Sequence, residues 1–469
     1  MGLKWRSARK SQLGISAILL SLVACPVAGA RVIRTNPKNV NSSLSILRPG
    51  DTLVLSPGVY SPLTLSNLNG KQSAWITIRG AGSPNGTEAA IIFGNPCCNT
   101  VEIQNSSYLA ITRLRVDSAG IRGVFGISAR GGNSNLVHDI LIQDNVLVGQ
   151  HASQQNDGIS TKTPTWNWTI RRNKILGAGT GIYLGNSDGT DPFIAGVIEN
   201  NLVEDPIGYD MEIKYQNPRP RIPGMPTGPS TTIIRNNTFI KGDGPSPDGD
   251  RPNVLVGGFP NSGSGSDDRY QIYGNFFYHN PREALFQASG RVSVHDNLFV
   301  GGHIAAIVLK DQDLPFKLAD VYNNTIYSSN QGILVDAPAQ AVTNVVGNLV
   351  FAATPISGTI THQSDNLTDS LDRAAHYVNT PSFALGMMSF YPLPDRVRGT
   401  PLNLVPFTSD KNYNLDFNEI PKNRFSGQVV FRGAYAGERT NPGWKVQPEI
   451  KPETPQNEPR NYGGEMLRP

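Results

Sequence analysis

The chain has 469 residues, only 38% of them apolar, with 48 Gly and 35 Pro, a composition that suits a chain that turns often and excludes one built from long amphipathic helices. Its formal charge of +4 comes entirely from Lys4, Arg6, Arg9 and Lys10, which leaves 37 acidic and 37 basic side chains beyond residue 30. Such a balance lacks the basic field of a general nucleic-acid or membrane-surface binder, so an acidic ligand has to be held by a local cluster.

The first thirty residues read as a secretory signal peptide. The four basic residues precede the apolar run Leu13 to Ala24, and Ala28-Gly29-Ala30 supplies a cleavage site, so Arg31 is expected to begin the mature chain. The run is short of the ~20 residues that cross a bilayer, so no transmembrane segment is expected and the destination is secreted or periplasmic. Leu22-Val23-Ala24-Cys25 resembles the lipobox of bacterial lipoproteins and ranks second, with acylation of Cys25 as its consequence. The remaining cysteines, Cys97 and Cys98, are adjacent and reach disulfide geometry only with backbone strain, so no disulfide framework is expected. Stability then has to come from a large packed core.

The segment Leu47-Arg48-Pro49-Gly50-Asp51-Thr52-Leu53-Val54-Leu55, followed by Pro57-Gly58-Val59-Tyr60 and Trp75-Ile76-Thr77-Ile78-Arg79-Gly80, resembles the opening of the pectate-lyase-like β-helix superfamily. The resemblance implies a right-handed parallel β-helix with this segment at its first coil. The residues themselves support the same architecture. A pattern apolar-x-x-Asn-x-apolar recurs at Asn145, Asn173, Asn201, Asn237, Asn275, Asn297, Asn324 and Asn348. Ile142, Ile170, Ile198, Ile234, Ile272, Val294, Val321 and Val345 stand three before, and Leu147, Ile175, Val203, Phe239, Phe277, Phe299, Ile326 and Val350 two after. Spacings of 28, 28, 36, 38, 22, 27 and 24 are about one solenoid coil each, with loops of varied length. A unit this small buries its apolar face only by stacking on its neighbours, which puts these side chains in a shared core and the amides in an asparagine ladder. The expectation is an all-β solenoid of roughly ten to twelve coils with at least two strands per coil.

Function is sought on an outer strand face. In Asp210-Met211-Glu212-Ile213-Lys214 the apolar residues alternate with charged ones, which predicts Asp210, Glu212 and Lys214 pointing outward. Aligning this strand with Gly181-Ile182-Tyr183-Leu184 places Tyr183 beside Glu212, and Ser160 and Lys162 fall in the rows of Glu212 and Lys214. Asn186 and Asp188 lie at the end of the intermediate strand. Two long insertions follow, Tyr215 to Ser230 with Arg219 and Arg221, and Gly242 to Asp268 with Arg251, and they are expected to wall a groove. A solvated strand face with cross-strand ion pairs is the plainer alternative for this constellation.

Asp210-x-Glu212-Ile213-Lys214 resembles a shortened version of the acidic pair and lysine of the chondroitinase-B and alginate-lyase family. The resemblance implies a polysaccharide lyase that cleaves uronate-containing glycans by β-elimination. It implies calcium held by Asn186, Asp210 and Glu212, and Lys214 as the base, with Tyr183 and Lys162 beside it in the site. Arg219, Arg221, Arg251 or His279 are the candidates for contacting substrate from the loops, because Val254-Leu255-Val256-Gly257-Gly258 stands where the family places a proton-donating arginine. The alternative is a non-catalytic polysaccharide-binding or cell-surface β-helix protein. On either reading the partner is an acidic polysaccharide, not a nucleic acid, and the chain is expected to be a monomer. His295 and His303 are read as turn neighbours rather than metal ligands.

After Asn348 the repeat fades. Residues 363 to 440 read as an extension packing back on the solenoid (31 to 362) through Tyr391, Phe407 and Phe417, while Tyr413-Asn414-Leu415-Asp416-Phe417 and Arg432-Gly433-Ala434-Tyr435 resemble the ending of the same superfamily. The Pro-rich stretch 441 to 469 is expected to be extended or disordered.

Overall fold

The computed structural model of the protein describes residues 29–424 and 427–453, so the signal segment up to residue 28, Cys25 included, and the stretch beyond 453 lie outside the described residues. The chain winds as a right-handed parallel β-helix with three parallel sheets of 15, 12 and 11 strands. A single coil shows how: Thr169–Arg171, Lys174–Leu176 and Thr180–Leu184 supply one strand to each sheet in turn. Each coil thus gives three strands. The sheets begin at Val32–Thr35 and their last strand is Leu367–Asp369.

The repeat stacks in register. Ile142, Ile170, Ile198, Ile234, Ile272, Val294, Val321 and Val345 pair strand to strand in one row. Leu147 to Val350 form the second row, in which the rings of Phe277 and Phe299 stack at 4.5 Å. Both rows are buried, and full burial of such side chains stabilises by about 1.5–3 kcal/mol each. The helix Val40–Leu44 turns Val40 and Leu44 into the first coil and closes that end of the core.

The ladder runs through all eight predicted asparagines. Each Nδ2 donates to the next Oδ1, at 3.0 Å from Asn145 to Asn173 and 2.9 Å from Asn201 to Asn237, and to a backbone carbonyl of the preceding coil. The left-handed backbone falls one residue before the ladder asparagine, at Asp144, Arg172, Asn200, Asn236, Asp296 and Asn323, with φ between 51° and 56°. That residue turns the chain between sheets and leaves the next amide pointing inward. A further rung, Asn366, accepts from Asn348 Nδ2 at 2.9 Å. Its neighbours Gln363 and Thr368 are polar, which hid it from the pattern.

The stretch after the solenoid covers parts of two of its sheets, the 12-stranded and the 15-stranded. Phe390, Tyr391, Phe417, Phe431 and Tyr435 pack on Phe276, Leu298, Val300, Leu349 and Phe351, and Phe407 stacks on Tyr322 at 4.1 Å. His295, expected at an outward turn, does leave the core but is sealed between Tyr273 and Tyr322 under this cover. Residues 441–453 are also held against the coils: the buried Lys451 donates to Gly274 O at 2.8 Å and Asn236 Oδ1 at 3.1 Å. Cys97 and Cys98, expected to remain unpaired, are joined as a disulfide on the exposed entry to the strand Cys98–Gln104.

Candidate functional site

The outer face of the 11-stranded sheet carries most of the predicted constellation. In register, Ser128, Ser160, Tyr183 and Glu212 share one row, and Arg130 pairs with Lys162 in the row two residues on, which also passes Lys214. Lys214 is turned outward, as alternation requires, with 18% of its side chain exposed, and donates to Glu212 Oε1 at 2.9 Å. Burial pushes the Glu212 carboxyl up, and Lys214 partly offsets this. Burial and the nearby Glu212 carboxylate raise the phenols of Tyr183 and Tyr209, so both hold their protons.

Toward the first coils the face continues with Asp157, which alternation along its strand does not single out. Its carboxylate is buried, and burial pushes it up to about 7 against the pull of Lys162 and Arg130. The Arg130 guanidinium lies over the Phe125 ring at 3.8 Å, and the Lys162 ammonium over the Tyr183 ring at 5.1 Å. An outward Asp one residue before a Gly-Ile strand was visible in Asp157-Gly158-Ile159; what concealed it was that Thr180, not an acid, stands opposite.

Asp210 corrects the prediction. It stands one residue before Met211, opposite Gly181, and a Cβ built on Gly181 would meet Cγ1 of the core residue Val203 at 2.4 Å. This row therefore turns inward at the corner between sheets, and Asp210 is fully buried beside Lys241 and Asn253 instead of sharing the outer face with Glu212. Strict alternation failed because the corner residue precedes the regular strand Met211–Ile213. Burial raises the Asp210 carboxyl well above the carboxylate range, and lowers Lys241 to about 8.

The calcium set implied by Asn186, Asp210 and Glu212 does not assemble. Asp210 is interior, Glu212 is bonded to an ammonium, and Asn186 Oδ1 accepts from the Ser187 amide at 2.9 Å. Among the described residues no group of three or more His, Cys, Asp or Glu side chains converges as a metal site. A divalent cation prefers several carboxylate or carbonyl oxygens turned to one point, and this face turns one carboxylate to a lysine.

The loops divide. The insertion Tyr215 to Ser230 leaves the face: Met225 and Ile222 pack on Trp166 and Ile194 of another sheet. Its Arg219 is buried and spent on Asp268 and the carbonyls of Pro226 and Gly228, so it is not free for substrate. Arg221 is exposed on this same loop. The stretch 242–253 instead folds back over earlier coils, where Gln154 clasps it through Gly249 O at 2.8 Å and the Asp248 amide at 2.9 Å. It thereby sets Arg251 5.7 Å from the Tyr209 ring, near Glu212. His279 is paired with Asp243 at 2.8 Å. The structure thus brings together Lys162, Tyr183, Glu212, Lys214 and Arg251, and separates from them Asp210 and Arg219.

Fold and face define a right-handed parallel β-helix with a cation-rich, tyrosine-lined outer surface. Solved structures similar to the chain include an alginate lyase from Paenibacillus sp. str. FPU-7, at 18% identity and a TM-score of 0.47 over 72% of this chain and 99% of that one. A PL6-family alginate lyase, AlyGC, is similar at 12% identity and a TM-score of 0.49, over 88% of this chain and 60% of that one. So is a lacto-N-biosidase from Eubacterium ramulus, at 11% and 0.47, over 72% of this chain and 68% of that one. No family model matches, and no curated protein matches. Among the described residues no helix is long and apolar enough to cross a membrane.

Proposed function

We propose that the chain is an exported enzyme that cleaves a uronate-containing polysaccharide by β-elimination on the outer face of its 11-stranded sheet. The observation that carries this reading is the arrangement itself: Lys214 and Arg251 with two half-buried tyrosines, Tyr183 and Tyr209, around the buried carboxylate of Glu212. A C5 proton beside a sugar carboxylate is removable only where preorganised positive groups meet the charge that develops there, and this face supplies guanidinium and ammonium groups. Lys214, oriented by its 2.9 Å contact with Glu212, takes the C5 proton in its amine form, and the proton it gains returns to the tyrosine that protonates O4. Tyr183 or Tyr209, kept protonated, donates to the departing O4. The C4–O4 bond breaks as the C4–C5 double bond forms. No step is assigned to calcium.

A second reading, a surface that binds the same polymers without cutting, is favoured by the closed Glu212–Lys214 pair. Incubation with alginate, chondroitin and pectate separates the two. Unsaturated products absorbing in the near ultraviolet, lost in Tyr183→Phe with Tyr209→Phe and in Lys214→Ala, establish the lyase; retardation of a polymer in a gel with no new absorbance establishes the binder. Neither result with any uronate polymer sinks both.

A further inference from the structure

We propose that Arg130 and Lys162, set over Asp157, form a second carboxylate-binding subsite that holds a sugar unit away from the cleavage point, toward the first coils of the solenoid. The inference rests on the proposed function of the same face and adds the orientation and minimum length of the substrate.

Register supplies the first argument. Arg130 and Lys162 are direct partners on adjacent strands, and the neighbouring row Ser160, Tyr183, Glu212 shows that Lys214 lies two strands beyond Lys162. At about 4.8 Å per strand, Lys162 and Lys214 are roughly 10 Å apart and Arg130 and Lys214 roughly 14 Å. The strand between them offers Gly185 in this row, which has no side chain and a φ of +95°. The row therefore reads cation, cation, gap, cation along the solenoid axis. One strand spacing is close to the advance of one sugar in an extended polymer, so a chain lying along the axis places a unit in the gap and presents carboxylates to the cations on either side.

Partnering supplies the second. Among the described residues the Lys162 ammonium, half-buried over the Tyr183 ring, makes no hydrogen bond or ion pair. Arg130 Nε and Nη2 have no hydrogen-bond partner, and their nearest carboxylate oxygen, Asp157 Oδ2, is 3.8 Å from Nη2 and itself unpartnered although buried. Half-buried cations are ordinarily paired, because burial of a charge is costly. Here two cations and an acid are held near one another by Phe125, Tyr183 and the strand register, with the long Arg130–Asp157 ion pair at 3.8 Å and no hydrogen bond among the three. Glu102 is the other acid near Arg130. Asp157 steadies the two cations while the face is empty and leaves their outward sides to an incoming carboxylate.

The test uses the full chain, with uronate oligomers of three and six units from the polymer it recognises, read as Kd by calorimetry or as KM where turnover occurs. Loss of one charge-assisted contact is worth about tenfold. Arg130→Met and Lys162→Met are each expected to weaken the six-unit oligomer about tenfold and to leave the three-unit oligomer within about twofold, while Lys162→Arg keeps the parent value. Thermal midpoints within the parent's range show that the variants fold; if the Met variants do not, Lys162→Gln with Arg130→Lys replaces them, the former weakening and the latter sparing the long oligomer. Equal weakening of both lengths, or of neither, overturns the subsite and leaves the functional reading standing. Failure of the parent protein to bind uronate oligomers of either length overturns the functional reading and the subsite with it.

Discussion

Asp157→Asn should make the protein more stable at alkaline pH and confer little at acid pH. The Asp157 carboxyl is buried and lacks a hydrogen bond to Oδ2. Burial is the largest influence on it, Lys162, Arg130 and Ser160 act in the opposite direction, and Glu212 adds to the rise, so that it titrates at about 7 rather than 3.8. A carboxyl whose folded value lies above its unfolded one favours folding when protonated; its contribution is intact below the unfolded value and is lost as pH rises toward the folded value. Between pH 4 and pH 8 the folded protein therefore loses, through this one group, about three pH units at about 1.4 kcal/mol each, or on the order of 4 kcal/mol. An amide does not titrate. Urea unfolding of both proteins at pH 4 and pH 8 isolates this, because effects of the amide that do not depend on pH cancel in the comparison. The advantage of Asp157→Asn over the parent should grow by about 4 kcal/mol across that interval; an advantage that stays flat, or shrinks as pH rises, refutes the assignment of a desolvated carboxylate at this position.

Removing a central rung should cost more than removing the terminal one: Asn237→Ala strands donors of Asn201 and a carbonyl of Ile198 inside the core and should cost about 3 kcal/mol or more, whereas Asn366→Ala should cost about 1 kcal/mol, by denaturant unfolding. Lys214→Ala should destabilise at neutral pH by about 2 kcal/mol, because it leaves the buried Glu212 uncompensated, and adding Glu212→Gln to the same chain should recover most of that; two independent losses that simply add would count against the pair. Since Asn186, Asp210 and Glu212 do not converge, saturating calcium and thorough chelation should both leave the thermal midpoint unchanged, and a rise on adding calcium would show a cation site that this arrangement denies.

The architecture was legible because the solenoid repeats one physical problem along the chain. Each coil must turn between sheets, satisfy an amide in the core and present apolar groups on both sides of that amide, so the same three residue types return at each pass. Where the problem changes, the signal fades. Asn366 ends the ladder with polar neighbours because Gln363 and Thr368 sit on the last strands, with no further coil to enclose them. The cover after residue 363 was legible only as aromatic residues without period, since Phe407 fills one hollow and Phe417 and Tyr435, in edge contact at 5.3 Å, another, instead of one repeated row. Lys451 and Lys422 are buried cations that compensate carbonyls, the amides of Asn236 and Asn323, and Asp296 in these hollows. Charge in a Pro-rich tail gives no local sign of that tertiary role.

The site was legible by half, and the two halves differ in kind. Tyr183 beside Glu212, and Lys162 in the row of Lys214, followed from counting, because parallel register passes a residue's position unchanged from coil to coil. Asp210 and the arginines depended on geometry that counting does not carry. At the corner before Met211 the backbone is not yet a pleated strand, so alternation sends Glu212 out but does not send Asp210 with it. Among loops, length alone gave Arg219 and Arg251 equal standing. What separates them is the anchor each loop finds: Met225 has Trp166 and Ile194 to pack on and draws its loop away, while Asp248 and Gly249 meet Gln154 three coils back and draw Arg251 over the face. Cutting that anchor tests the point. Gln154→Ala removes both bonds and should weaken polymer binding or turnover in proportion to the part played by Arg251, and in an Arg251→Met background it should then add almost nothing; a further loss in that background would mean that the loop acts on the face through some other residue.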